Sequence, residues 1–259
     1  MRITILGCGG SGGVPMVGGD WGKCDPAEPR NARTRCSILV EEAGRRLLVD
    51  TSPDLRAQML AAKVDGLEAV LWTHSHADHL NGIDDLRAIN RLINRPLPVY
   101  GPPETIAHVQ RSFAYVFEPL PDGVQNFYKP VLVPSVIEPG DHLQIAGMDI
   151  LALEQDHGFS RSYAYRFGRF AYSTDVVRMS EETLTALEGI DVWIVDAFRH
   201  APHTTHSHVA QTLGWIERLK PKRAILTHMT DDMDYRSLLS ELPSGVEPAY
   251  DGMVIEVQP

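Results

Sequence analysis

The segment His74-Ser75-His76-Ala77-Asp78-His79 constrains this chain more than any other. At this His and Asp content an H-x-H-x-D-H run arises by chance in roughly one or two of a thousand chains of this size. It follows directly on Glu68 to Trp72, an apolar run of strand length. In an extended segment residues two apart point the same way, so His74 and His76 can face one cation. Asp78 and His79 fall on the turn that follows and can face a second. Imidazole and carboxylate donors suit zinc, manganese or iron, and two divalent ions, zinc or manganese, are the expected cofactors. A solvated polar loop in which Asp78 merely caps a helix is the weaker reading of so specific a run.

A two-metal site needs further ligands, and strand ends later in the chain offer them. His157 follows the predicted strand Met148 to Leu153, Asp175 follows Phe170 to Tyr172, and His228 follows Arg223 to Leu226. Other strands are predicted at Arg2 to Leu6, Cys36 to Glu41, Arg46 to Val49, Ser162 to Phe167 and Val192 to Val195, with a last pair near the C-terminus. Helices are predicted over Asp54 to Ala62 (Ser52 as N-cap, Pro53 at the first helical position), Asp84 to Asn94, Glu181 to Leu187, Ser207 to Leu219 and Tyr235 to Leu239. Prolines between Gly101 and Pro139 predict a long excursion with a helical piece around Thr105 to Tyr115. Strands and helices mixed throughout predict a layered α/β protein. No linker or internal repeat divides it, so residues 1–259 are expected to form a single domain.

The net charge of −10 is spread along the chain and disfavours a large nucleic-acid footprint, which needs a basic face. A small anionic substrate stays compatible with it, because cations in a cleft reverse the local field. The apolar runs are too short to cross a bilayer, and the N-terminal run reaches glycine before a signal-peptide core could form. Three cysteines, Cys8, Cys24 and Cys36, do not suggest a disulfide framework. Together these features predict a cytoplasmic protein. Gly7-Cys8-Gly9-Gly10-Ser11-Gly12 matches the dinucleotide fingerprint literally, but Gly13, Pro15, Gly18 and Gly19 leave no helix to face a pyrophosphate. These glycines fit a loop that passes close to another backbone or to a ligand.

In this order, these ligand-bearing elements make the chain resemble the metallo-β-lactamase superfamily from end to end. The resemblance implies a four-layer αββα sandwich with the metals at one edge of two sheets. It implies that His74, His76 and His157 hold one ion, that Asp78, His79 and His228 hold the other, and that Asp175 bridges both. Gly7 to Pro15, Pro98 to Pro103, Ile225 to His228, Leu242 to Gly245 and Asp251 to Met253 are similar to the phosphodiesterase branch. That branch holds the phosphoribosyl cyclic phosphodiesterases and the tRNA 3′-end endonucleases. The phosphoribosyl enzymes carry a C-x-C-x-x-C structural zinc motif. Here Gly19 to Cys24 keeps only its last cysteine, and Asp231 stands where that family has a further zinc-binding histidine. The basic, glycine-rich arm with which the tRNA enzymes grip tRNA has no counterpart.

The function so implied is hydrolysis of a small phosphodiester, cyclic or linear, or a nucleotide, by attack of a metal-held hydroxide. Asp78 belongs to both the metal-binding and the catalytic set. A general acid for the leaving alkoxide is expected at His206 or His203, with Asp196 orienting His206 as an acidic residue does in the related tRNA endonucleases. Arg33, Arg35 and Arg199 are candidates for phosphate contact or for plain surface positions, and His200 is undecided. His108, His142 and His208 have no matching context and are expected at the surface. A thioester or lactam hydrolase on the same fold is the nearest rival reading. A non-catalytic metal-binding protein would be expected to have lost ligands. A homodimer is compatible with the sequence.

Overall fold

Successive residues of the early strands are apolar on both sides, so each strand needs covering on two faces. The computed structural model describes residues 1–124 and 126–258 and meets that need with two stacked mixed sheets flanked by helices. In chain order the strands are β1 (Arg2–Gly7), β2 (Ser37–Glu42), β3 (Arg45–Val49), β4 (Ala69–Leu71), β5 (Leu97–Gly101), β6 (Leu132–Val136), β7 (His142–Ile145), β8 (Met148–Asp156), β9 (Arg161–Phe167), β10 (Phe170–Ser173), β11 (Val192–Asp196), β12 (Arg223–Thr227), β13 (Val246–Pro248) and β14 (Val254–Glu256). The helices are α1 (Leu55–Ala61), α2 (Ala77–Leu80), α3 (Leu86–Ile93), α4 (Pro103–Ser112), α5 (Glu181–Ala186), α6 (Val209–Leu219) and α7 (Tyr235–Glu241). One sheet has the order β14-β1-β2-β3-β4-β5-β6 and the other β13-β12-β11-β10-β9-β8-β7. Each is antiparallel on one side and parallel on the other, the change falling at β3 and at β10.

Alternation decides which side chain enters which layer. Ile3, Ile5, Val40, Leu47, Val49 and Leu71 join a core that includes Ile150, Ala152, Tyr165, Phe167 and Phe170 of the second sheet. Leu48, Val70 and Trp72 join the outer core with Leu55 and Met59 of α1, Leu86 and Ile89 of α3, and Ile106 and Val109 of α4. The Tyr165 hydroxyl donates to the Trp72 carbonyl at 2.7 Å, which ties β9 to the segment leaving β4. Parallel strands from both sheets therefore deliver their carboxyl ends to one edge, where α/β proteins place ligands. Among the described residues no helix is long and apolar enough to cross a membrane.

The αββα sandwich is as expected; several local expectations are corrected. β5, just ahead of the proline-rich excursion, and β6 within it were not expected. Pro134 is tolerated because β6 is an edge strand, and β5 pairs with β4 only through Val99 and Tyr100, beyond Pro98. β7, which carries His142, was also not expected. α1 begins at Leu55 with Asp54 as N-cap, because the Ser52 hydroxyl accepts the Asp54 N–H and forms a turn ahead of the helix. No helix follows the Gly7 to Gly12 loop. A Cβ at Gly7 would lie 2.1 Å from the Arg35 carbonyl, so that glycine allows two backbones to meet.

Asp251, on the turn before β14, pins this loop. Its Oδ1 accepts the Cys8 N–H at 3.1 Å, and its Oδ2 accepts the Thr34 N–H at 2.7 Å and the Thr34 hydroxyl at 2.6 Å. Burial pushes the carboxyl from its ordinary 3.8 up to about 6, although these hydrogen bonds pull the other way. Between those values the folded protein holds a proton that the unfolded chain has released, so this group's contribution to stability falls as pH rises. The unfolding free energy of the wild type relative to Asp251→Asn should therefore drop by on the order of 3 kcal/mol from below pH 4 to above pH 6. Paired urea titrations at these pH values check it; a relative stability that rises with pH would contradict it.

Candidate metal centre

His74 and His76 lie on the extended segment that leaves β4, and His76 is the N-cap residue of α2. One helical turn then carries Asp78 and the fully buried His79. His157 follows β8, Asp175 lies two residues beyond β10, and His228 follows β12 directly. The structure brings all seven together. Donor atoms of His74, His76, His157 and Asp175 lie within 4.8 Å of one another, and so do those of Asp78, His79, Asp175 and His228. Asp175 belongs to both groups. Its Oδ1 is 3.6 Å from His157 Nε2 and 3.4 Å from His228 Nε2, and its Oδ2 is 3.0 Å from His79 Nε2.

These donors fit divalent cations on the chemistry of their free atoms. The buried Nε2 atoms of His74 and His79 have no hydrogen-bond partner among the described residues. Unpaired polar atoms so deeply buried are costly unless a cation meets them. The opposite ring nitrogens are engaged and set the tautomers. His157 Nδ1 donates to the Thr205 carbonyl at 2.7 Å. His79 Nδ1 bonds Asp50 Oδ2 at 2.8 Å. His74 Nδ1 meets the Thr73 hydroxyl at 3.0 Å, and that hydroxyl donates to Asp50 Oδ2 at 2.8 Å. One buried carboxylate, Asp50, thus orients an imidazole of each group, the usual role of residues behind metal-binding histidines.

Burial pushes His74, His76 and His157 towards their neutral, lone-pair-bearing form. Burial also pushes His79 and His228 down, but Asp175 and Asp78 more than reverse it. Asp50, Asp175 and His228 all adopt left-handed backbone, with φ of 66°, 52° and 57°. Non-glycine residues do so at a cost, and such strain collects at functional sites.

A third overlapping group joins Asp196, His206 and His228. His206 Nδ1 bonds Asp196 Oδ2 at 3.1 Å, and the His206 ring stacks between Phe198 and His228 at centroid distances of 4.4 and 4.7 Å. Asp196 is itself fixed. Its other contacts are the Val176 N–H on Oδ2 and the Ser207 and Thr212 hydroxyls on its carbonyl. The His203 ring lies 5.3 Å from that of His206, and its Nδ1 faces the Thr205 hydroxyl rather than a carboxylate. Burial, with the neighbouring His206 charge, pushes its imidazole down.

The remaining candidates lie elsewhere. Arg33 neither contacts a phosphate site nor reaches solvent. It is buried, and its guanidinium donates to the Thr230 and Met233 carbonyls at 3.1 and 2.6 Å and to Asn31 Oδ1 at 3.3 Å. Arg35 pairs with Asp54, and Arg199 donates to the carbonyls of Ala201 and Pro202 in its own loop. His200 is exposed beside Glu241. His142 is exposed, while His108 and His208 are half-buried, and none of the three joins the cluster. The Cys24 thiol donates to the Asp231 carbonyl at 3.2 Å, and Arg33 Nη1 lies 3.9 Å from its sulfur. Sequence reasoning missed Asp50 and Thr205; a carboxylate just past the predicted strand Arg46 to Val49 was the available signal for the first, and a backbone carbonyl leaves none.

Residues 45–229 match the model of the beta-lactamase superfamily domain. Over 258 residues, 98% of this chain and 51% of the relative, the sequence is 32% identical to an octanoyltransferase of Porphyromonas gingivalis. It is 31% identical to a ribonuclease Z of Methanosarcina acetivorans over 179 residues, 66% of this chain and 51% of that one. The chain thus spans about half the length of these two relatives. Among solved structures, a diphosphatase from the PhnP family superposes with a TM-score of 0.88 at 31% identity, covering 98% of this chain and 97% of that one.

Asp50→Asn should weaken binding of zinc or manganese about ten- to a hundredfold, as loss of a partner behind metal-binding histidines does. Asp175→Ala should lower the bound metal in the isolated protein below that of the wild type. Elemental analysis and competition with a chromogenic chelator check both, and wild-type affinity in Asp50→Asn would count against its orienting role.

Proposed function

The chain belongs to the metallo-β-lactamase superfamily, and from that premise we propose that it is a binuclear metal-dependent phosphodiesterase acting on a small phosphodiester, cyclic or linear, or a nucleotide. The observation that carries this reading is the pair of donor groups that share Asp175. His74, His76 and His157 would hold one cation, Asp78, His79 and His228 the other, and Asp175 belongs to both groups. Two divalent cations bound there, zinc or manganese, supply a Lewis acid for a phosphoryl oxygen and an acidified water as nucleophile. Both groups draw on both sheets, so in this reading residues 1–259 work as one domain.

The chain's own residues do the rest. Asp50 and Thr205 fix the tautomers that aim Nε2 of His74, His79 and His157 inwards. Asp196 occupies Nδ1 of His206, which leaves Nε2 to carry a proton to the departing alkoxide. Phe198 covers one face of that ring and restricts its motion. The similarity to a ribonuclease Z and to a PhnP-family diphosphatase supports chemistry at phosphorus, while the charge of −10 supports a small substrate over a long nucleic acid. Free thiols at Cys8, Cys24 and Cys36 support a reducing, cytoplasmic setting.

Metal-reconstituted protein should hydrolyse bis-p-nitrophenyl phosphate in preference to a thioester and a chromogenic lactam; the reverse preference would overturn the reading. General acid catalysis contributes about a hundred- to ten-thousandfold. His206→Ala should lose that much rate on alkyl phosphodiesters while keeping its metals, and much less on p-nitrophenyl esters, whose leaving group needs no proton. Equal losses on both would remove His206 from the role, and a selective loss in His203→Ala would move the role there.

A further inference from the structure

Beside the first donor group lies a cavity of about 410 Å³, lined by His74, Ser75 and His76, by Glu104 and Thr105, and by the Gly158–Arg161 turn. The volume suits a small organic ligand. Phe159 at the tip of this turn is 94% exposed, a position where a large aromatic ring gains nothing from the fold. Its placement is enforced from below. Gly158 has φ +76°, and a Cβ there would lie 2.8 Å from the Thr205 side chain and 2.9 Å from the Thr204 carbonyl. The turn is thus seated on the loop that fixes His157, and it presents Phe159 at the cavity wall.

Glu104, in the first turn of α4, lines the same cavity, exposed and with no hydrogen bond or ion pair among the described residues. Arg161, the cation of this cavity, is shared between Glu154 at 3.6 Å and Asp156 at 3.7 Å. A second phosphate would meet a free carboxylate and a guanidinium already committed. A neutral polyol would meet a carboxylate able to accept two hydroxyls at once, with the Ser75, Thr105 and Ser160 hydroxyls nearby. A flat ring would meet the face of Phe159.

We infer that this cavity is a nucleoside subsite: Phe159 stacks on the base and Glu104 accepts the ribose 2′- and 3′-hydroxyls of a substrate attacked at its 5′-phosphodiester. The inference rests on the phosphodiesterase reading and narrows it, making Phe159 and Glu104 specificity-determining residues. A single aromatic face in a cavity that also offers an acceptor suits a stacked base better than a quaternary ammonium, which is enclosed by several rings.

The test compares metal-reconstituted protein on adenosine 5′-(p-nitrophenyl phosphate), its 2′,3′-dideoxy analogue, choline p-nitrophenyl phosphate and methyl p-nitrophenyl phosphate, with calorimetric titration of adenosine 5′-phosphate as a readout independent of turnover. The wild type should prefer the adenosine ester. Phe159→Ala should lower the ratio of kcat/KM for the adenosine ester over the methyl ester about ten- to a hundredfold, the range of base–aromatic stacking, and weaken adenosine 5′-phosphate binding to match. Glu104→Gln should abolish discrimination between the ribo and dideoxy esters. Both side chains are exposed, so neither substitution threatens folding. Turnover of the methyl ester without preference for the adenosine ester, or preference for the choline ester, would overturn the subsite and leave the hydrolase reading intact. Phe159-dependent binding of adenosine 5′-phosphate with no turnover of any diester would support the subsite and overturn the phosphodiesterase.

Discussion

Asp175 is buried to 1% exposure, and imidazoles from both sheets crowd its two oxygens at 3.0 to 3.8 Å. A carboxylate so placed is affordable only with positive partners, whether protonated rings or cations. The fold can be read as the means of delivering them. β4 brings His74, His76 and His79 from one sheet, while β8, β10 and β12 bring His157, Asp175 and His228 from the other. Parallel pairing on matching sides of the two sheets puts these strand ends at one edge. If the sheets slid by one residue pair, the two donor groups would separate.

Rigidity at that edge comes from strained backbone and the hydrogen bonds that hold it. Asp50, Asp175 and His228 leave their strands in left-handed backbone, a conformation held only where the surroundings over-determine it. The surroundings do so with neighbouring polar groups: the Thr73 N–H on Asp50, the Thr174 hydroxyl on the Asp175 carboxylate and the Ser162 hydroxyl on its carbonyl, and Asp78 Oδ2 beside His228 Nε2. The strain and the hydrogen bonds together leave each side chain one direction in which to point.

Much of this was legible in the sequence. The H-x-H-x-D-H run, and single His or Asp residues just past β-like runs, identified all seven clustered side chains, because strand ends and metal-type donors are both local signals. β5 and β6 were not legible, because Pro98 and Pro134 argue against strands unless the pairing partners are known. Arg33 was not legible either: a lone arginine in a polar loop reads as exposed, and only the folded chain brings the Thr230 and Met233 carbonyls to it. Nor does the sequence separate His206 from His203, since the Asp196 bond that distinguishes them is a matter of loop geometry.

The buried guanidinium of Arg33 joins the residue 14–33 loop to the residue 230–234 loop chiefly through neutral oxygen acceptors, with the Cys24 sulfur 3.9 Å from Nη1. A thiolate-bound metal can make the same kind of junction, but its strength depends on the redox state of sulfur and on the free concentration of the ion. A guanidinium is covalently part of the chain, stays charged at any physiological pH, and offers nothing for an oxidant to attack or a chelator to extract. The junction, one loop away from His228, therefore holds whether or not a metal is available, and the Cys24 thiol beside it only adds a weak contact to a set of bonds that oxygen acceptors complete.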